Sequence, residues 1–140
     1  MNVKDFLDEF SQWARTQTDI EAVALVGSYA RDDPKDDSDV DLIVLTTTPA
    51  RYFRDQSWAS LFGKVGERKV ESWGRVKSLR VSYSCCLEVE YSFAIPAWAG
   101  IPVDAGTHEV IRNGMKILFD PRDLLKALQP SVDTSIPRKN

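Results

Sequence analysis

The sequence has few of the residues that build disulfide frameworks or zinc sites. Its 140 residues include two cysteines, Cys85 and Cys86, and one histidine, His108. The cysteines are adjacent, so on a strand they would point to opposite faces and a bridge between them would be badly strained. No spacing typical of zinc ligands is present. The sequence therefore predicts neither disulfides nor structural zinc, and a cytoplasmic location is the default expectation.

Long hydrophobic runs and a strong net charge are also absent. The first six residues form an amphipathic start rather than an apolar run, so no signal peptide is expected, and no apolar run is long enough to cross a bilayer. A formal net charge of −3 gives no electrostatic reason to expect nucleic-acid binding. It does not exclude a nucleotide, because metal ions can neutralise phosphates locally.

The chain is predicted to form a single α/β (α+β) domain over residues 1–130, with a disordered polar tail at 131–140. Apolar residues at helical spacing predict a first helix with Asn2 as its N-cap. Alternating or β-rich segments predict a mixed β-sheet flanked by helices, with strands at 20–26, 39–45, 79–83, 87–95 and 115–119, and 65–73 as an edge strand.

Two further helices are expected from local signals. Pro49 would occupy the first turn of one, closed by Gly63 and Gly66, with an apolar face formed by Tyr52, Phe53, Trp58, Leu61 and Phe62. Asp120 would cap the other, with Pro121 at its first position and a core-facing side formed by Leu124, Leu125 and Leu128. Asn113-Gly114, just before the last strand, is a hairpin signal.

The chemically informative segment follows the first strand. Gly27 and Ser28 end that strand, and a small residue there lets the backbone approach a ligand closely. Asp39 and Asp41 stand two apart on the next strand, so both carboxylates project from one face. Two neighbouring carboxylates repel each other, and Mg²⁺ between them reverses the sign of that interaction. The alternative is an ordinary turn followed by a solvated acidic loop, which also holds Asp32, Asp33, Asp36 and Asp37.

Together these residues form the pattern G-S-x10-D-x-D between two apolar strands. This resembles the signature of the nucleotidyltransferase superfamily related to DNA polymerase β, which includes minimal nucleotidyltransferases and aminoglycoside adenylyltransferases. The resemblance implies that Gly27 and Ser28 hold a nucleoside triphosphate, with ATP as the first candidate. It also implies that Asp39 and Asp41 ligate two Mg²⁺ ions. Later stretches resemble bacterial stand-alone nucleotidyltransferase domains, so the likeness extends over residues 20–125.

The family also implies a third carboxylate on a neighbouring strand, as catalytic residue and metal ligand. Glu90 fits that place, and Glu88 is the fallback. Either could instead be a cross-strand partner of an arginine such as Arg80. Most relatives carry Asp rather than Glu at this position.

Several other residues have two interpretations. Arg31 could contact phosphate or be a solvated loop residue, and His108 has no role in the family. Three tryptophans could stack on a base or pack in the core, namely Trp58, Trp73 and Trp98. A basic stretch at 64–80 could dock an anionic acceptor or be a solvated edge.

The resemblance implies an enzyme that transfers a nucleoside monophosphate from an NTP to a small-molecule or macromolecular hydroxyl acceptor. The alternatives are an antitoxin or regulatory module acting with a helical HEPN-type partner, and a nucleotide-binding protein without turnover. No segment after Leu128 matches the helical domain of larger relatives, which favours a partner chain, a homodimer or a small acceptor.

Overall fold

A computed structural model describes residues 2–27, 29–30, 39–73, 76–84, 87–99 and 115–126. Its helices are α1 (Val3–Thr16) and α2 (Arg51–Arg54), with 3-10 helices at Ser57–Phe62 and Pro96–Ala99. Its strands are β1 (Ile20–Val26), β2 (Val40–Thr46), β3 (Val65–Trp73), β4 (Val76–Tyr83), β5 (Glu88–Ala94) and β6 (Met115–Phe119). None of the described helices is long and apolar enough to cross a membrane.

The six strands form one sheet in the order β3-β4-β5-β2-β1-β6. Strands β2 and β5 pair in parallel, and the other neighbours are antiparallel. The predicted mixed sheet and the α+β class are therefore confirmed, as is the edge position of β3. The parallel pair lies at the centre of the sheet and brings the starts of β2 and β5 together.

Helix α1 forms as predicted and covers one face of the sheet. The Asn2 side chain accepts a hydrogen bond from the Asp5 N–H at 2.8 Å, which caps the helix. Phe6, Phe10 and Ala14 lie on the buried side. They pack against Val40, Leu42 and Val44 of β2, the residues expected to face away from the two aspartates.

The opposite face carries a smaller core and the candidate site. Alternation along β2 puts Asp41 on the same side as Ile43 and Leu45. Those two side chains pack in a second cluster with Trp98 and Leu125. The acidic residues therefore lie at the rim of this second face, where β1 ends and β2 begins.

A partly buried carboxylate fixes the other end of the β1–β2 pair. Asp19 accepts hydrogen bonds from Thr46 Oγ1 and Tyr52 Oη, both at 2.6 Å, and from Arg51 Nη1 at 2.7 Å. Burial alone would raise the pKa of Asp19, but these hydrogen bonds outweigh it and lower the pKa below its ordinary value. The network anchors α2 to the sheet far from the candidate site.

The predicted helix after Pro49 is wrong in extent. Helix α2 is one turn long, and Ala50 rather than Pro49 immediately precedes it. The Asp55 side chain accepts the Ser57 N–H at 3.0 Å, and this local turn replaces a continuous helix by a separate 3-10 helix. The 3-10 helix turns Leu61 toward solvent, with 60% of it exposed, although Leu61 was expected on the apolar face of the predicted helix.

The predicted last helix is also wrong over the described part, residues 120–126. The Asp120 carboxylate does cap backbone N–H groups, those of Leu124, Leu125 and Lys126. Asp123 has a φ of 57°, however, and this left-handed conformation breaks the helical path. Leu125 is buried as expected, while Leu128 and the Asn113-Gly114 signal lie outside the described residues.

Candidate active site

Gly27 ends β1 in contact with the carboxylate of Asp41. Its φ is +79°, a conformation that residues with a side chain rarely adopt. A Cβ atom built on Gly27 would lie 2.4 Å from Asp41 Oδ2. Glycine is therefore required twice, by the backbone conformation and by the close approach. The structure brings Gly27 and Asp41 together as predicted, whereas Ser28 and Arg31 lie outside the described residues.

A single row of paired residues brings the acidic side chains together. Asp41 of β2 is opposite Glu90 of β5, and Glu90 is opposite Arg80 of β4. Directly paired residues project from the same face of a sheet. Asp39 was predicted to be the first residue of this strand, but it immediately precedes β2. It lies on the same side and contacts Arg80.

Asp41 is in an environment that disfavours its charge. Burial is the largest cause, and the neighbouring Glu90 adds charge repulsion and a hydrogen bond. The charge of Asp39 raises the pKa further, and Arg80 opposes these effects only in part. The pKa of Asp41 is raised to about 7 as a result. Such a carboxyl group is poised to exchange its proton for a cation near neutral pH.

Glu90 and Glu88 differ in what they contact. Glu90 is opposite Asp41, and its side chain is 15% exposed. Glu88 is 39% exposed and is turned toward β4, where it accepts hydrogen bonds from Arg80 at 3.1 Å and Ser82 at 3.3 Å. The geometry therefore favours Glu90 as the acid nearest Asp41, while Arg80 pairs with both glutamates.

Arg80 is the residue whose importance the sequence indicated least. It was expected to pair with one glutamate. Its guanidinium instead contacts Asp39, Glu71, Glu88 and Glu90, which come from two strands and the residue before β2. Only the register of β3, β4 and β5 reveals this convergence.

The donor chemistry of these residues fits Mg²⁺, although the ligands are not preassembled. Within the described ranges, no group of three or more His, Cys, Asp or Glu side chains is arranged to hold a metal ion. Asp39 is instead engaged by Arg80. Mg²⁺ commonly needs only one or two protein carboxylates, completed by water and substrate phosphate. Asp41 and Glu90 supply such oxygens, and the raised pKa of Asp41 indicates a local deficit of positive charge.

Replacing Gly27 by alanine should destabilise the protein by about 1–3 kcal/mol, the range typical of a residue forced into a strained backbone conformation. The new methyl group would also push the Asp41 carboxylate away. Urea unfolding of Gly27→Ala and of the wild-type protein provides the measurement. Equal stability of Gly27→Ala and the wild-type protein would contradict the prediction.

The other candidates among the described residues do not join the site. Trp58 and Trp98 are 8% and 3% exposed and belong to the two cores, which confirms packing rather than base stacking for both. In the basic stretch, Lys64, Arg68 and Lys69 are exposed. His108, Arg75, the cysteine pair and the side chain of Trp73 lie outside the described part of the chain.

Comparison with known proteins agrees with this arrangement. Residues 8–73 match the family described as Polymerase beta, Nucleotidyltransferase, a region that includes Gly27, Asp39 and Asp41. No curated protein sequence matches the chain. The family match covers just under half of the chain and supports the nucleotidyltransferase superfamily that the sequence pattern resembles.

A solved structure with a TM-score above 0.5 shares the fold at low sequence identity. An aminoglycoside 6-adenyltransferase from Bacillus subtilis has a TM-score of 0.58 and 15% identity, over 71% of this chain and 37% of that one. The Cid1 poly(U) polymerase has a TM-score of 0.45 and 19% identity, over 66% of this chain and 31% of that one. The chain thus spans well under half the length of either protein, and the likeness concerns the fold alone.

Proposed function

We propose that the chain transfers a nucleoside monophosphate from a nucleoside triphosphate to a hydroxyl acceptor, in a Mg²⁺-dependent reaction. The observation that carries the proposal is the pairing of Asp41 with Glu90 beside Gly27, in a chain whose sequence matches the nucleotidyltransferase family. A partly buried pair of acids costs free energy unless positive charge neutralises both, and Arg80 offsets the effects on Asp41 only in part.

Each residue has a distinct role in this reaction. Asp39, Asp41 and Glu90 would hold Mg²⁺, which supplies positive charge to the triphosphate and the acceptor hydroxyl. Gly27 leaves space for the triphosphate, and Ser28 and Arg31 follow it in the chain as further candidate phosphate contacts. Glu90 is the base that accepts the hydroxyl proton.

The reaction balances without a redox partner. The acceptor oxygen forms a bond to the α-phosphorus of the NTP as it loses its proton. The bond from that phosphorus to the oxygen bridging to the β-phosphate breaks, and pyrophosphate leaves. Charge builds up on the leaving oxygens, so positive charge fixed at this rim stabilises the transition state.

Coupled binding of Mg²⁺ and nucleotide tests the proposal. Nucleotide alone should stabilise the protein weakly, because Asp41 and Glu90 repel phosphate, and Mg²⁺ alone lacks the phosphate oxygens that complete its ligands. Together, at about 100 times the dissociation constant, they should add about 2.7 kcal/mol. That corresponds to a rise in melting temperature of about 5–10 °C. The measurement is a thermal-shift matrix of Mg²⁺ against ATP, CTP, GTP and UTP.

Two variants make this experiment decisive. Asp41→Asn should lose most of the coupling. Asp8→Asn makes the same chemical change at an exposed position of α1 and should retain it. Equal coupling in wild type and Asp41→Asn would remove the basis of the proposal. Acceptors are then screened with labelled nucleotide, and coupled binding with no transfer to protein, RNA or antibiotic acceptors would favour nucleotide binding without turnover.

A further inference from the structure

The guanidinium of Arg80 occupies the centre of the acidic cluster. Arg80 Nη1 contacts Asp39 and lies 3.1 Å from Glu88 Oε2, while Nη2 lies 3.4 Å from Glu90 Oε1. The Arg80 side chain is only 28% exposed. It therefore neutralises acids that are partly shielded from water, where a counter-charge has more effect than at an open surface.

The partners of Arg80 fall into two groups, and Nη1 contacts one member of each, Asp39 and Glu88. Asp39 and Glu90 belong to the candidate active site. Glu71 and Glu88 lie away from it, on β3 and on the β4-facing side of β5. Arg80 thus has one pair of acids inside the site and a second pair outside.

The outer pair includes an acceptor that lacks a hydrogen bond. Glu71 Oε1 is buried and finds no hydrogen-bond partner among the described residues. It lies 3.6 Å from Arg80 Nε, just beyond hydrogen-bonding distance. A buried carboxylate oxygen without a donor is costly, so a shift of the guanidinium toward Glu71 by less than about 1 Å would be favourable there.

We propose that Arg80 is a resident counter-cation that moves from Asp39 and Glu90 to Glu71 and Glu88 when Mg²⁺ enters the site. The inference rests on the proposed function. A guanidinium and a divalent ion on the same carboxylates repel each other, so the metal must displace Arg80 from Asp39. Arg80 is then a positioning residue that holds the acids together in the metal-free protein and lowers their affinity for metal.

The inference predicts opposite changes for two substitutions. Arg80→Gln removes the competing charge, so Mn²⁺, used here as a spectroscopic probe for Mg²⁺, should bind about tenfold more tightly. Glu71→Gln weakens the outer position and leaves Arg80 on Asp39, so Mn²⁺ should bind about threefold more weakly. The measurement is titration of each folded variant with Mn²⁺ alone, followed by the electron paramagnetic resonance signal of the free ion.

A double substitution separates this mechanism from a general loss of negative charge. If Glu71 acts through Arg80, Glu71→Gln should have no effect on Mn²⁺ affinity in the Arg80→Gln protein. A persistent threefold loss there would mean that Glu71 acts directly on the metal, which would overturn the exchange. Glu67→Gln, an exposed charge removal on the same strand, serves as the matched control and should leave the affinity unchanged.

The outcomes distinguish this inference from the proposed function. Equal or weaker Mn²⁺ binding by Arg80→Gln, together with loss of binding in Asp41→Asn, would overturn the role of Arg80 and leave the metal site standing. Equal Mn²⁺ binding by wild type and Asp41→Asn would instead show that the metal binds elsewhere, which would contradict the proposed function. Tighter Mn²⁺ binding by Arg80→Gln, even with a lower melting temperature of the metal-free protein, supports the exchange. A purely structural role of Arg80 would lower both the Mn²⁺ affinity and the melting temperature.

Discussion

Asp41→Asn should stabilise the metal-free protein at pH 8, and by a smaller amount at pH 5. The folded protein holds the Asp41 proton up to a pKa of about 7, whereas the unfolded chain loses it near about 3.9. The stability contributed by the protonated group is complete below the unfolded pKa. It is lost as the pH rises toward 7 and stays lost above that value. Asparagine keeps the shape of the side chain and carries no charge to desolvate.

The size of the effect follows from the shift. The folded and unfolded pKa values of Asp41 differ by about three units, which corresponds to about 4 kcal/mol in the free energy of unfolding for a fully shielded group. Partial exposure and screening by solvent reduce this, so we expect Asp41→Asn to gain about 1–3 kcal/mol at pH 8. Urea unfolding from pH 5 to about pH 8 measures the effect as a difference between variant and wild type, which cancels the groups that titrate equally in both.

Asp8→Asn is the matched control, because it removes an exposed carboxylate far from the site. The control should leave the pH dependence of the wild-type protein unchanged. Parallel stability curves for wild type and Asp41→Asn would contradict the prediction. Saturating Mg²⁺ should also abolish the advantage of asparagine at pH 8, because the ion then takes the place of the proton.

The part of the site that the sequence predicted depends on short-range geometry. Asp39 and Asp41 share a face because side chains alternate along a strand, and Gly27 follows from the end of an apolar strand. Two local helix predictions failed for a related reason. Short side-chain-to-backbone bonds at Asp55 and Asp120 shape the backbone there, and propensity alone does not reveal which local bond prevails.

What the sequence left open depends on strand order. Glu90 meets Asp41 only because β5 lies parallel to β2, a pairing between segments about 50 residues apart along the chain. The raised pKa of Asp41 and the four acidic contacts of Arg80 depend on the same non-local register. Resemblance to a family suggested a third acid and favoured Glu90 only slightly, with Glu88 as the fallback.

Glu90→Gln should lower kcat/KM for nucleotidyl transfer by about 100-fold or more, whereas Glu88→Gln should lower it less than about fivefold. Glu90 is opposite Asp41 and is the less exposed of the two. In the proposed reaction its loss would remove a metal ligand and the proton acceptor together, and single groups of this kind are commonly worth about 100–1000-fold. Glu88 only pairs with Arg80 and Ser82. The assay follows transfer of labelled nucleoside monophosphate to the acceptor that the screen identifies.

Mn²⁺ affinity measured on the same two variants shows whether a loss of activity arises from the metal. Glu90→Gln should bind Mn²⁺ more weakly, because one of the two acids paired across β2 and β5 has lost its charge. Glu88→Gln should bind it slightly more weakly as well, since Arg80 then has only Glu71 outside the site. A larger loss of both activity and metal affinity in Glu88→Gln than in Glu90→Gln would reverse the assignment. The third carboxylate would then be the side chain nearer Ser82, and the Glu88 contact with Arg80 would have to open before each turnover.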